Sequence, residues 1–187
     1  QIDGLDDTTG SAVTPFLLTS RDSAARPVLR HEVTHVALAL QGRSTVPAWL
    51  VEGTAEYVTH RRTTGGRVDV AAAMRARGSL GPGVSSGLWQ VGLTADPDRF
   101  YDPERFYRGS AARVRQAYTD AWITCLYLAS RYGETALFDA YRQAAAGPPG
   151  RDAQLSEQAA LARLGLTRQE LGEQATRFGR GLAGTVG

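Results

Sequence analysis

Two of the chain's three histidines stand four residues apart in RHEVTHVALALQG, and a glutamate directly follows the first of them. A helix turns about 100° per residue, so positions i and i+4 lie one above the other on the same face. A helix here lets His31 and His35 present both imidazoles to one cation. Glu32 is turned one position away, so it stands beside that cation rather than on it, where a base is useful. This is the H-E-x-x-H arrangement, in which two neutral imidazoles hold zinc and the glutamate handles a proton.

A catalytic zinc site takes three protein ligands and leaves one position open. One known continuation of the motif would put Gly at position 38 and His at position 41. The chain has Leu38 and Gln41 there, so the third ligand must come from elsewhere. The next helix-like segment carries WLVEGTAEY, in which Glu52 and Glu56 are again four apart and share a face. Sixteen residues separate His35 from Glu52. That is enough to leave the first helix, turn through QGRST and return an antiparallel helix past the histidines.

HEVTH followed by WLVEGTAEY resembles the gluzincin zinc metallopeptidases, most closely the peptidase MA-like domains of bacterial secreted proteins and lipoproteins. The resemblance extends more loosely over AYTDAWITCLYLASRYGETALFDAYR and LGLTRQELGEQ. It implies a zincin-like fold of the α+β class, mostly α, with a small N-terminal β element and a helical C-terminal lobe. It also implies Zn2+ as cofactor, Glu52 as third zinc ligand, and Glu56 as a partner of a ligating histidine rather than a ligand. Such a carboxylate accepts the remaining imidazole N–H and fixes the tautomer; His31 is the expected partner. Gluzincins usually place several strands ahead of the histidine helix. Only about thirty residues precede it here, so the β-lobe is expected to be reduced or cut away.

The implied activity is hydrolysis of a peptide bond by a metal-activated water, with Glu32 as general base. Related enzymes supply a second electrophile from a tyrosine in a Y-x-x-(G/A) context. Tyr118 in AYTDAW matches that context and is assigned to stabilise the oxyanion, with Tyr101 and Tyr107 as alternatives. Tyr118 also shares a face with Ala121, Trp122 and Cys125, the ordinary setting of a core aromatic. His60, one turn beyond Glu56, is expected to be exposed near its helix end, where a positive charge is favourable. The one cysteine, Cys125, excludes an internal disulfide and a cysteine-based zinc site, and reads as a small buried hydrophobe.

The elements that must position these residues are legible in outline. AVTPFLLTS (residues 12–20) reads as a short strand, with Pro15 marking an edge; an extended peptide substrate could add to it. RPVLRHEVTHVALALQG reads as a helix with Pro27 in its first turn and Gly42 at its C-terminal cap. VPAWLVEGTAEYVTHRR reads as a second helix, with Pro47 near its start and Arg61 and Arg62 in its last turn. Gly53 inside that helix costs about 1 kcal/mol relative to Ala, which suggests close packing against a neighbour. RVDVAAAMRARG reads as a short helix. Residues 79–109, rich in Gly, Pro and Asp, read either as a lid or as a surface loop pinned by Trp89, Phe100 and Phe106. A long helix then ends at Gly133, a further helix follows, and two more close the chain around 155–164 and 167–180. Thr167 followed by Glu170 is a capping-box signature. One domain of 187 residues is expected: 1–66 with the β element and zinc helices, 67–109 as the connection, and 110–187 as the helical lobe.

Composition excludes several classes of function. A net charge of +2 is too small to argue for nucleic acid or an anionic membrane, and no apolar run reaches the roughly 18 residues of a transmembrane helix. All 21 basic residues are arginine, which reads as GC-rich coding rather than function. The chain starts at Gln1 without an initiator Met or an apolar signal segment, so it is expected to be part of a longer precursor. The partner is expected to be a peptide or protein substrate. The resemblance implies an extracellular or cell-envelope location. Two other readings stay open: a noncatalytic binding or scaffolding domain that keeps a vestigial zinc site, and a hydrolase of a non-peptide amide.

Overall fold

The helix that carries Glu52 is buried on nearly every side, and the rest of the molecule is arranged around it. The computed structural model describes residues 25–39, 46–78, 103–148 and 152–184. In chain order these form α1 (Ala25–Ala39), α2 (Ala48–His60), β1 (Thr63–Thr64), β2 (Arg67–Val68), α3 (Val70–Arg77), α4 (Pro103–Phe106), α5 (Ala111–Tyr132), α6 (Glu134–Ala145), α7 (Ala153–Ala162) and α8 (Arg168–Gly184). The described residues are therefore mostly helical, with one small sheet. The expected strand at 12–20 and the cap at Gly42 lie outside them.

Helix α2 packs against α1 on one side and α5 on the other. Trp49, Leu50, Ala55 and Tyr57 are buried within it, as is the carboxylate-bearing Glu52. A helix that is apolar almost all round belongs in a core. The core continues through Ala121, Trp122, Ile123, Leu126 and Leu128 of α5, then Leu137 and Tyr141 of α6 and Leu161 of α7. Arg30 of α1 donates to the Thr59 carbonyl, while His35, one turn on, meets Glu52, one to two turns back. Rising along α1 thus means falling along α2, so the two helices run antiparallel.

Gly53 explains how closely α2 and α5 approach. A Cβ there would stand 2.4 Å from the Ala121 carbonyl oxygen and 2.7 Å from Cys125 Sγ. The helix-propensity cost of the glycine is outweighed by a backbone contact that no other residue permits. Gly53→Ala is expected to destabilise the protein by about 1–3 kcal/mol, the usual cost of overpacking. Chemical denaturation would register this as a lower midpoint; an unchanged or higher midpoint would contradict the packing argument.

The connections follow ordinary chain chemistry. Pro47 stands at the N-cap of α2. Arg61 and Arg62, expected in the last turn of α2, lie just past it. Arg61 is already extended (ψ 144°), and only its backbone N–H returns to the Tyr57 carbonyl. The short helix expected from Arg67 begins at Val70 instead. Arg67 and Val68 pair antiparallel with Thr64 and Thr63 around Gly65 and Gly66, whose φ values are 57° and 77°. Two consecutive positive φ angles make this the Gly-Gly hairpin turn that strand twist favours. Asp69 then caps α3 by accepting from Ala72 N at 2.8 Å.

Helix α5 starts at a Ser110 cap and ends at Gly133, where φ is 95° and α6 begins at the next residue. The expected capping box opens α8: Thr167 Oγ1 accepts from Glu170 N, and Glu170 accepts from Thr167 N. Among the described residues no helix is long and apolar enough to cross a membrane.

Candidate metal centre

His31 and His35 lie on the face of α1 turned to α2, and Glu52 on the face of α2 turned to α1. His31 Nε2 and His35 Nε2 are 2.9 Å apart, and each is 3.3 Å from Glu52 Oε2. The three ligand-type atoms thus form a small triangle. Ligands about 2.0–2.1 Å from a tetrahedral zinc ion lie about 3.3–3.4 Å from one another, close to the edges of this triangle. The donor set, two imidazoles and one carboxylate, also suits zinc.

His31 also meets a second carboxylate. His31 Nδ1 is 3.1 Å from Glu56 Oε1, so it carries the ring proton and donates it to that carboxylate. In neutral His31, Nε2 is then a bare lone pair. It faces a second imidazole and a carboxylate oxygen. Burial alone would lower the His31 pKa, but the hydrogen bonds to Glu52 and Glu56 raise it from 6.5 to about 9. Burial would likewise raise the pKa of Glu52, yet its bonds to His31 and His35 bring it well below the usual carboxylate range.

Glu56 sits at the middle of a polar chain. Besides His31 it reaches Arg77 Nε of α3 at 3.3 Å and lies 3.7 Å from His60 Nε2. Arg77 also donates to Thr119 Oγ1 of α5 and lies over the Trp122 ring at 4.6 Å. Burial raises the Glu56 pKa, but the His31 hydrogen bond and the Arg77 charge more than offset this, and Glu56 stays ionised. The contribution of Arg77 was not legible in the sequence, where it is one of 21 arginines; α3 had to be placed against α2 and α5 before it appeared.

His60 needs correction. It is half-buried, not exposed, and meets Trp122 edge-on at 6.4 Å between ring centroids. Burial pushes its pKa down despite the pull of Glu56, so the expected favourable charge at the helix end does not apply. Cys125 is buried, and burial pushes its thiol up to about 12.

Two tyrosines stand near the triangle. Tyr118 of α5 is half-buried, with its ring centroid 6.1 Å from that of His31. Phe106 is wholly buried and stacks edge-on with Tyr118 at 5.3 Å and with Tyr107 at 5.4 Å. Tyr107 donates to Glu52 Oε1 at 2.5 Å, a contact sequence reasoning did not assign. Burial and the Glu52 charge raise the pKa values of both tyrosines, so both hydroxyls keep their protons. Glu32 follows His31 on α1 and is exposed to solvent. Phe106 is the one expected loop anchor that is described; Trp89, Phe100 and Tyr101 lie outside the described residues. The chain finds no match among models of known protein families, among curated proteins or among solved structures.

Proposed function

We propose that the chain is a zincin-like, zinc-dependent peptidase that hydrolyses a peptide bond with Glu32 as general base. The observation that carries this reading is the convergence of His31 Nε2, His35 Nε2 and Glu52 Oε2 within about one ligand–ligand spacing of each other. Zinc held by these donors supplies Lewis acidity and brings a water's pKa from 15.7 toward about 7.

The remaining chemistry belongs to the chain's own side chains. Glu32, exposed on α1 next to His31, accepts a proton at its carboxylate in this reading as water attacks the amide carbonyl, and then passes it to the departing amine. Glu56 holds the His31 ring by its Nδ1–H, which fixes the tautomer with Nε2 free. Tyr118, protonated and beside His31, donates its hydroxyl to the oxygen that gains charge. The extracellular or cell-envelope location belongs to the same proposal.

The test is metal analysis of the purified protein coupled to a cleavage profile on a mixed peptide library. One equivalent of zinc with cleavage at a defined set of bonds is the expected result. A zinc-loaded protein that cleaves nothing would favour the noncatalytic binding domain, and a protein that takes up no zinc would remove both readings. In the same assay Tyr118→Phe is expected to lose about 10²-fold in turnover with zinc content unchanged. Undiminished turnover would take Tyr118 out of the mechanism.

A further inference from the structure

A carboxylate can bind a metal through one oxygen or through both. For a site of three protein ligands the difference decides function, because a second oxygen from Glu52 takes up room that the reacting groups need. Nothing about glutamate itself selects one mode. The selection must come from what the other oxygen does.

In this protein the two oxygens of Glu52 have separate neighbours, and Tyr118 also hydrogen-bonds to this carboxylate. Oε2 faces His31 Nε2 and His35 Nε2, both at 3.3 Å. Oε1 accepts the hydroxyl of Tyr107 at 2.5 Å, at the short end of the range of about 2.5–2.7 Å for a hydroxyl bound to an ionised carboxylate. We propose that Tyr107 is a positioning residue: it holds Oε1 of Glu52 away from the cation, so that the carboxylate ligates through Oε2 alone. This rests on the metal-site reading above.

The fold holds Tyr107 for such a task although the residue is 47% exposed. Its neighbour Phe106 is fully buried against the Tyr118 ring, which fixes the chain on one side. On the other, Gly109 (φ 116°) turns the backbone into the Ser110 cap of α5. Tyr107 therefore reaches Glu52 from an element separate from those that carry the ligands.

The experiment compares the wild-type chain with Tyr107→Phe, which keeps the ring and removes the hydroxyl. Both are loaded with Co2+ as a spectroscopic substitute and, separately, titrated with Zn2+ against a chelator. Wild type is expected to give the intense visible absorption of four-coordinate cobalt. Tyr107→Phe is expected to give the weaker spectrum of a five-coordinate ion, and about a 10-fold loss of zinc affinity. A role in packing alone would lower the melting temperature and leave the cobalt spectrum unchanged; an unchanged spectrum overturns the proposal whatever the affinity. Wild-type protein that binds neither Co2+ nor Zn2+ overturns the metal-site reading and this proposal together, so the two failures are distinguishable.

Discussion

Glu32→Gln is expected to keep its full complement of zinc and to lose about 10²–10⁴-fold in peptide hydrolysis, the usual contribution of a positioned general base. The separation of the two readouts follows from the geometry. The residues that could together hold a metal are His31, His35 and Glu52, and Glu32 is not among them. It lies on the exposed side of α1, so the amide replacement leaves the α1–α2 contact undisturbed. What is lost is a carboxylate able to take and return a proton. Metal analysis and kcat/KM on a peptide selected from the library would be measured on the same preparation. A variant as active as its parent would end the role of Glu32. A variant depleted of zinc would instead mean that Glu32 helps to hold the metal.

The constellation was visible in the sequence because its parts obey helical spacing. His31 and His35, and then Glu52 and Glu56, each fall one turn apart, and the spacing alone puts each pair on one face. The partnership of Glu56 with a histidine was implied by the family resemblance, and the structure brings Glu56 Oε1 to 3.1 Å from His31 Nδ1. Gly53 was readable as an anomaly in a helix, although its cause, the Ala121 carbonyl, needed the structure.

Long-range partners were a different matter. Nothing local to Tyr107 shows that a buried Phe106 will swing it onto Glu52, 55 positions earlier in the chain. Arg77 braces Glu56 only because α3 folds back over α2. His60 was misread for the same reason. A helix-end histidine is solvated by default, and the α5 tryptophan and the α3 backbone beside it alter that. The Gly65–Gly66 hairpin, by contrast, carried a local signal in its paired glycines.

The stability of the protein is expected to fall by on the order of 4 kcal/mol between about pH 5 and pH 8 through one carboxyl, that of Glu157. Glu157 of α7 is 1% exposed, and its Oε1 accepts the Trp49 indole N–H of α2 at 2.6 Å. Burial raises its pKa from 4.5 to about 8, against the opposing effect of that hydrogen bond. The folded state therefore holds this proton more tightly than the unfolded chain does. Below pH 4.5 both states are protonated and the group has no effect. Between 4.5 and 8 the unfolded state releases the proton while the folded state keeps it, and stability falls as pH rises. Above 8 the loss is complete, and the folded protein carries a buried charge at the α2–α7 contact. Glu157→Gln keeps an oxygen for Trp49 and cannot ionise, so it should match wild type near pH 5 and exceed it at pH 8. The comparison must be a difference between the two proteins, because His31, raised to about 9 in the metal-free site, also loses stabilising charge as pH rises. Urea midpoints taken for both from pH 5 to 9 provide it. Parallel curves would mean that Glu157 ionises in the folded state as readily as it does in the unfolded chain, and that the Trp49 contact does not depend on its proton.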